Sequence, residues 1–150
     1  MSANCIFCKI IKGDIPSIKI AETAMSYAFM DISPLSRGHC LVIPKEHAER
    51  FHQLSEDSAA DVGRLLNRVS KAMGVDDFNI LQNNGAICNQ AVFHVHFHII
   101  PKTSEDDGLG IRWKPNETIS KEKITEIGAA ITEGIKRNAA AAEGKAEEKQ

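Results

Sequence analysis

The sequence predicts an α+β domain with a mainly antiparallel five-stranded sheet, and three observations predict it. Five short β-prone runs are bounded by turn residues, one long amphipathic repeat of helical period divides them, and a second helical repeat follows the last run. At 150 residues and 43% hydrophobic, the chain has the size and apolar content of one domain with a substantial core. We assign that domain to residues 1–137 and expect a disordered tail over 138–150.

Residues 18–21 and 25–31 (MSYAFMD) read as a short hairpin closed by a D-I-S-P turn, and GHCLVIPK (38–45) as a third strand that Pro44 ends. Ser55 is placed to cap a helix whose first turn carries Glu56 and Asp57. Ala59, Val62, Leu65, Leu66, Val69 and Met73 then recur at helical spacing, and the helix stops near Gly74. FNILQ (78–82) and VFHVHFHIIP (92–101) form a second hairpin around the polar loop NNGAICNQ (83–90). A last helix runs from about Ser120 with Ile124, Ile127, Ile131 and Ile135 on one face, and beyond Arg137 the chain lacks large apolar residues.

A net charge of −2 gives no general pull toward nucleic acid or an anionic membrane. The N-terminal apolar run is interrupted by Lys9 and Lys12, which argues against a signal peptide, and no stretch is long enough to span a bilayer. The expected location is the cytoplasm, with the nucleus open by passive entry. Four cysteines in such a chain read as reduced thiols or metal ligands.

The chemistry concentrates in FHVHFHII (93–100), where three of six histidines occupy alternate positions. Side chains alternate along a strand, so Val95, Phe97 and Ile99 can fill the core while His94, His96 and His98 share the other face, neighbours spaced by roughly 6.5–7 Å. One such imidazole could be a solvated polar residue. Three in register point to nucleophilic, acid–base or metal chemistry, because imidazole alone offers all three near neutral pH. A single ion at ~2.0–2.1 Å could take two of them, and the third lies too far along the strand.

The second cluster is C-I-F-C at 5–8. A CxxC pair can be redox-active, but no thioredoxin-like βαβ context follows it. Half of a tetrahedral zinc site is the better reading, with His47, His52 and the strand histidines available to complete it.

The order His-φ-His-φ-His-φ-φ at 94–100, with φ apolar, resembles the signature of the histidine triad (HIT) superfamily. CIFCKIIKGDIPS, AFMDISPLSRGHCLVIPKEH and LQNNG…QAVFHVHFHIIPK extend the likeness over about residues 4–102, which resembles the Hint branch, the nucleoside phosphoramidases. The resemblance implies a homodimer whose two sheets join into one, binding a purine nucleoside monophosphate or phosphoramidate. It implies that His96 attacks the α-phosphorus and forms a nucleotidyl-histidine, that His98 contacts the phosphate, and that His39 joins the cluster. It further implies that Asp31 holds the ribose hydroxyls, with Ile32 against the base. Asn83 and Gln90 match positions that orient the imidazole and contact phosphate. Metal-binding relatives imply a zinc of structural role, one per chain, on Cys5, Cys8, His47 and His94, and no organic cofactor.

On sequence alone, Asp31 could instead cap the D-I-S-P turn and His39 could simply cover the sheet. The motif Gly-Gln-Ser of close relatives is Asn89-Gln90-Ala91 here. Asn tolerates left-handed backbone better than most residues. Ala91 removes a hydroxyl implied to meet the leaving amine. Trp113 does not match the C-terminal tryptophan of animal members. Besides the phosphoramidase reading, the same nucleophile could serve a dinucleoside polyphosphate or adenylylated-metabolite hydrolase, or the triad could make an AMP-binding interaction module.

Overall fold

Residues up to 111 fold around one antiparallel sheet of five strands with a helix on each face. The computed structural model describes residues 2–147, and the chain divides into two compact units, residues 1–111 and 112–150. The first holds α1 (Ile6–Lys12), β1 (Lys19–Glu22), β2 (Ser26–Met30), β3 (Cys40–Pro44), α2 (Glu56–Ala72), β4 (Phe78–Gln82) and β5 (Phe97–Pro101). The second holds α3 (Lys121–Glu147).

The strands lie in the order β1-β2-β3-β5-β4, every neighbour antiparallel. Register decides which residues share a face. Phe29 pairs Leu41, which pairs His98, which pairs Leu81; Met30 pairs Cys40, which pairs Ile99, which pairs Ile80. Cys40, Val42, Ala28 and Ile99 pack with Val62, Leu65, Leu66 and Val69 of α2. Phe29, Leu41, Tyr27 and Ile43 pack on the opposite face with Phe7 and Ile10 of α1. Full burial of each such aliphatic or aromatic side chain contributes roughly 1.5–3 kcal/mol.

α2 begins as its sequence requires: the Ser55 hydroxyl accepts the Ser58 amide, with Glu56 and Asp57 in the first turn. Glu46, two residues past β3, binds the hydroxyls of Ser55 and Ser58 and so ties the helix start to the sheet. Asp61 does the same one turn later for the β1–β2 turn, accepting from Thr23 and Ser26.

Two departures from the sequence reading matter for the site. Residues 5–12, read only as a metal half-site, build α1, which ends because Gly13 takes φ 86° and returns its amide to the Lys9 and Ile10 carbonyls. The last strand is shorter than 92–101: it starts at Phe97. His94 turns its amide onto the Val92 carbonyl at 2.9 Å and Val95 bonds Ala48 at 2.8 Å, so 92–96 is a bent segment rather than part of the ladder. In the second unit, α3 starts after Ser120, whose hydroxyl accepts the Lys123 amide, and continues through the alanine run past Arg137. Residues 148–150 of the expected tail lie outside the described residues.

Candidate active site and metal cluster

The bend at 92–96 changes what the histidine row does. In place of a solvated face, His94, His96 and His98 are packed inward, with His94 fully buried, His96 4% exposed and the His98 side chain 19% exposed. Phe7 of α1 stands edge-on to the rings of both His94 and His96, at 5.8 and 5.2 Å between centroids. The row splits into two clusters.

His96 and His98 lie 5.1 Å apart by ring centroid, and His39, just ahead of β3, brings its Nε2 within 2.9 Å of His98 Nδ1. The protons in this cluster can be placed by elimination. The Leu35 amide can only donate, and it sits 3.0 Å from His39 Nδ1, so that nitrogen is an acceptor and the His39 proton is on Nε2. His39 Nε2–H therefore donates to His98 Nδ1, which leaves the His98 proton on its own Nε2. On His96, Nδ1 faces the His94 carbonyl at 2.7 Å and must donate to it, so Nε2 carries a free lone pair. One imidazole is thus presented as a nucleophile or base and its neighbour as a hydrogen-bond donor.

Burial keeps these groups neutral. It pushes His98 down to about 4, and pushes His96 and His39 below the ordinary imidazole value, against the opposing pull of the Asp31 carboxylate. Asp31 caps the D-I-S-P turn through Oδ1, which accepts the Ser33 amide at 2.7 Å, while Oδ2 faces His39 at 3.6 Å and His98 at 3.9 Å. The turn-capping reading of Asp31 thus has a structural counterpart. Asp31, His39 and His98 bring donor atoms close enough for a metal ion. The tautomers argue against one, because Leu35 occupies one nitrogen of His39 and the other carries the proton. Ile32 stands 93% exposed beside Asp31.

The second cluster gathers Cys5, Cys8, His47 and His94. Its donor separations are 3.1 Å between the two Nδ1 atoms, 3.4 Å from Cys5 Sγ to His94, and 3.5 and 3.7 Å from Cys8 Sγ to His47 and His94. A tetrahedral ion with ~2.05 Å bonds to nitrogen and ~2.3 Å bonds to sulfur spaces its ligands by about 3.4–3.8 Å. His94 is also in the tautomer a metal needs: Nε2–H donates to the buried Pro44 carbonyl at 2.9 Å, and burial holds the ring at about 4, so Nδ1 faces the cluster unprotonated. The four residues form a Cys2His2 cluster fit for a metal ion. His52 stays outside it, exposed on a short turn.

The loop residues lie differently. Gln90 is buried and fully engaged: its Oε1 accepts the Gly85 amide at 2.6 Å, and its Nε2 donates to the Glu49 and Val92 carbonyls at 2.6 and 3.1 Å. Asn89 holds φ 59°, the left-handed conformation its side chain tolerates, and both Asn89 and Ala91 are exposed. Asn83 is half-buried. Among the described residues, no hydrogen bond joins Asn83, Asn89 or Gln90 to an imidazole; the contact that orients His96 is the His94 carbonyl. That carbonyl, the Leu35 amide and the Pro44 carbonyl are main-chain groups, so side-chain identities did not point to them.

A family model described as the HIT domain matches residues 12–105. The chain is 57% identical over 133 residues to adenosine 5'-monophosphoramidase hnt1 of Schizosaccharomyces pombe, a match that covers 89% of this chain and 99% of that protein. It is 50% identical over 118 residues to adenosine 5'-monophosphoramidase HNT1 of Saccharomyces cerevisiae, covering 79% and 75%. Among solved structures, it superposes on a histidine triad nucleotide-binding protein from Candida albicans with a TM-score of 0.82 and 40% identity, over 89% of this chain and 99% of that one. A hypothetical protein from Leishmania major gives a TM-score of 0.86 and 54% identity over 91% and 99%. The matched span contains the whole sheet, the bent segment with His94 and His96, and His98 on β5, and the chain belongs to the HIT-domain family.

Proposed function

We propose that this protein hydrolyses the P–N bond of purine nucleoside phosphoramidates, of the AMP-NH2 and AMP-lysine type, through a nucleotidyl-His96 intermediate. The observation that carries the reading is the 2.7 Å contact from His96 Nδ1–H to the His94 carbonyl, which leaves Nε2 as a free lone pair in a ring kept neutral by burial. Such a ring attacks phosphorus without a base, since no hydroxyl proton has to be removed first. The new N–P bond forms as the P–N bond to the amine breaks and the departing nitrogen takes up a proton. Water then displaces His96 from phosphorus and releases AMP.

His98 contributes its Nε2–H as a fixed donor to the phosphoryl oxygens, and His39 holds it in that tautomer. Asp31 Oδ2 is the acceptor for the ribose hydroxyls, and the exposed Ile32 offers an apolar surface to the base. The S. pombe and S. cerevisiae relatives are named for this activity. A 42% identical relative from Arabidopsis thaliana, over 69% of this chain and 54% of its own length, is named adenylylsulfatase HINT3, which keeps adenylylated metabolites as the second reading. The Cys2His2 cluster would hold one zinc ion per chain as a staple between α1 and the His94 segment. The protein would act as a homodimer whose two sheets join through β4, one of the sheet's two edge strands, where Ile80 is half-exposed.

Turnover of an AMP-amine compared with a diadenosine polyphosphate and adenylyl sulfate tests the substrate class. The account expects the AMP-amine to have the highest kcat/KM; a clear preference for either other substrate would replace it.

A further inference from the structure

His94 is shared by the two clusters. Its Nδ1 faces Cys5 Sγ at 3.4 Å, Cys8 Sγ at 3.7 Å and His47 Nδ1 at 3.1 Å, while its Nε2–H is held by Pro44 at 2.9 Å. Its own carbonyl takes the His96 Nδ1–H at 2.7 Å. Phe7, which precedes Cys8 on α1, packs edge-on against both imidazoles. One buried residue and one short helix therefore join the dithiol to the ring that carries the reactive lone pair. A cavity of about 400 Å³, lined by Ser2, Asn4, Cys5, His47, Glu49 and Phe93 among others, opens onto the cluster, and Cys5 is half-buried. Cys5 is thus the member of the pair that lines this cavity. Cys40, by contrast, is buried in the core beneath α2. Both Cys5 and Cys8 precede the span 12–105 that matches the family domain.

We infer that Cys5 and Cys8 are a peroxide-oxidisable pair that controls the nucleophile through His94, which acts as a positioning residue. In the reduced state the two sulfurs hold His94 Nδ1, through a metal ion when one is bound. One sulfur attacks a peroxide oxygen, the O–O bond breaks, and a sulfenic acid and one water form. The second sulfur displaces the sulfenic hydroxyl as a second water and closes the Cys5–Cys8 bond. Two electrons pass to the peroxide; the two protons that complete the waters come from the thiols, or from solvent when the sulfurs are metal-bound thiolates. Oxidised sulfurs no longer ligate a metal, so His94 Nδ1 loses its two sulfur partners, and the ring and the carbonyl that holds His96 shift. A misplacement of ~1 Å at a reacting group costs on the order of 10²-fold in rate.

The inference rests on His96 as the nucleophile, and the experiment separates the two claims. The full chain carrying Cys88→Ser, to exclude cross-linking through that exposed thiol, is loaded with zinc and titrated with hydrogen peroxide. Intact mass, released zinc, kcat and KM for an AMP-amine, and the NMR signal of the His96 Nδ1 proton are followed together. The expected result is loss of two hydrogens, release of zinc, a fall in kcat of about tenfold or more with KM within about twofold, and a shifted or exchange-broadened His96 signal. Dithiothreitol and zinc restore all four, and Cys8→Ser in the same background abolishes the kcat response. A disulfide that forms while kcat and the His96 signal stay unchanged overturns the coupling, as does a kcat loss that the Cys8→Ser protein shares. Full turnover by His96→Ala, run alongside, overturns the nucleophile assignment instead.

Discussion

Replacing His39 with leucine tests the proton arrangement of the active site. His39 is 2% exposed and works through both nitrogens, accepting the Leu35 amide at 3.0 Å and donating to His98 Nδ1 at 2.9 Å. Leucine fills the space but serves neither contact. The Leu35 amide loses its partner, a cost of about 0.5–1.5 kcal/mol because Leu35 is exposed and water can take the vacated place. The greater effect falls on His98, whose Nδ1 loses the donor that keeps its own proton on Nε2. Loss of one fixed donor to a developing phosphoryl charge costs on the order of 10²–10³-fold. The assay is kcat/KM for an AMP-amine, paired with 15N chemical shifts of the His98 ring, which report the tautomer directly. His39→Gln places an amide oxygen and an amide NH2 at roughly the separation of the two ring nitrogens, and should recover about tenfold of the loss. If His39→Leu stays within about threefold of the parent and the His98 tautomer is unchanged, the relay from Leu35 to His98 is wrong.

Other consequences follow from the same structure. Burial lowers His98 to about 4, so on acidification the unfolded chain takes its proton first; the stabilisation is present above pH ~6.5 and is lost as pH falls toward about 4, on the order of 2 kcal/mol after allowance for partial exposure. Urea midpoints of the parent and of His98→Gln across that window check this, and equal pH slopes would contradict it. Ile99→Ala removes a fully buried side chain between β5 and α2 and should cost about 2–5 kcal/mol in urea unfolding, with the m-value unchanged. Gln90→Ala frees the Gly85 amide and two carbonyls, so the 83–90 loop should lose hydrogen-exchange protection at Gly85; retained protection would show that Gln90 is not its anchor.

Most of the sheet and the long helix were legible in the sequence because each is specified locally. Ser55 with Glu56 and Asp57 marks the start of α2, the repeat Val62, Leu65, Leu66 and Val69 marks its buried face, and FNILQ occupies β4 residue for residue. α1 was missed because its seven residues, IFCKIIK, are dominated by the cysteine pair; Phe7 and Ile10 three apart, followed by Gly13, were the available signal. The histidine row misled in a more informative way. Alternation predicts a straight strand, but two long-range constraints bend it: Val95 bonds Ala48 of the β3–α2 connection, and the His94 ring is drawn between Pro44 and the cysteines. Neither partner lies near 92–96 in sequence. The Cys2His2 set came from resemblance, and the structure brings those same four residues together. Gln90 is placed by its backbone partners as the loop's internal anchor, and local patterning carries no trace of that.

The central claim is that His96 forms a covalent bond to the nucleotide. Rapid quenching of the parent protein with an excess of an AMP-amine, followed by intact and peptide mass spectrometry, tests it most directly. The account predicts an adenylyl adduct on the peptide containing His96, formed before steady-state AMP release and absent from His96→Ala. Undiminished turnover by His96→Ala, or an adduct carried by another residue, would contradict it.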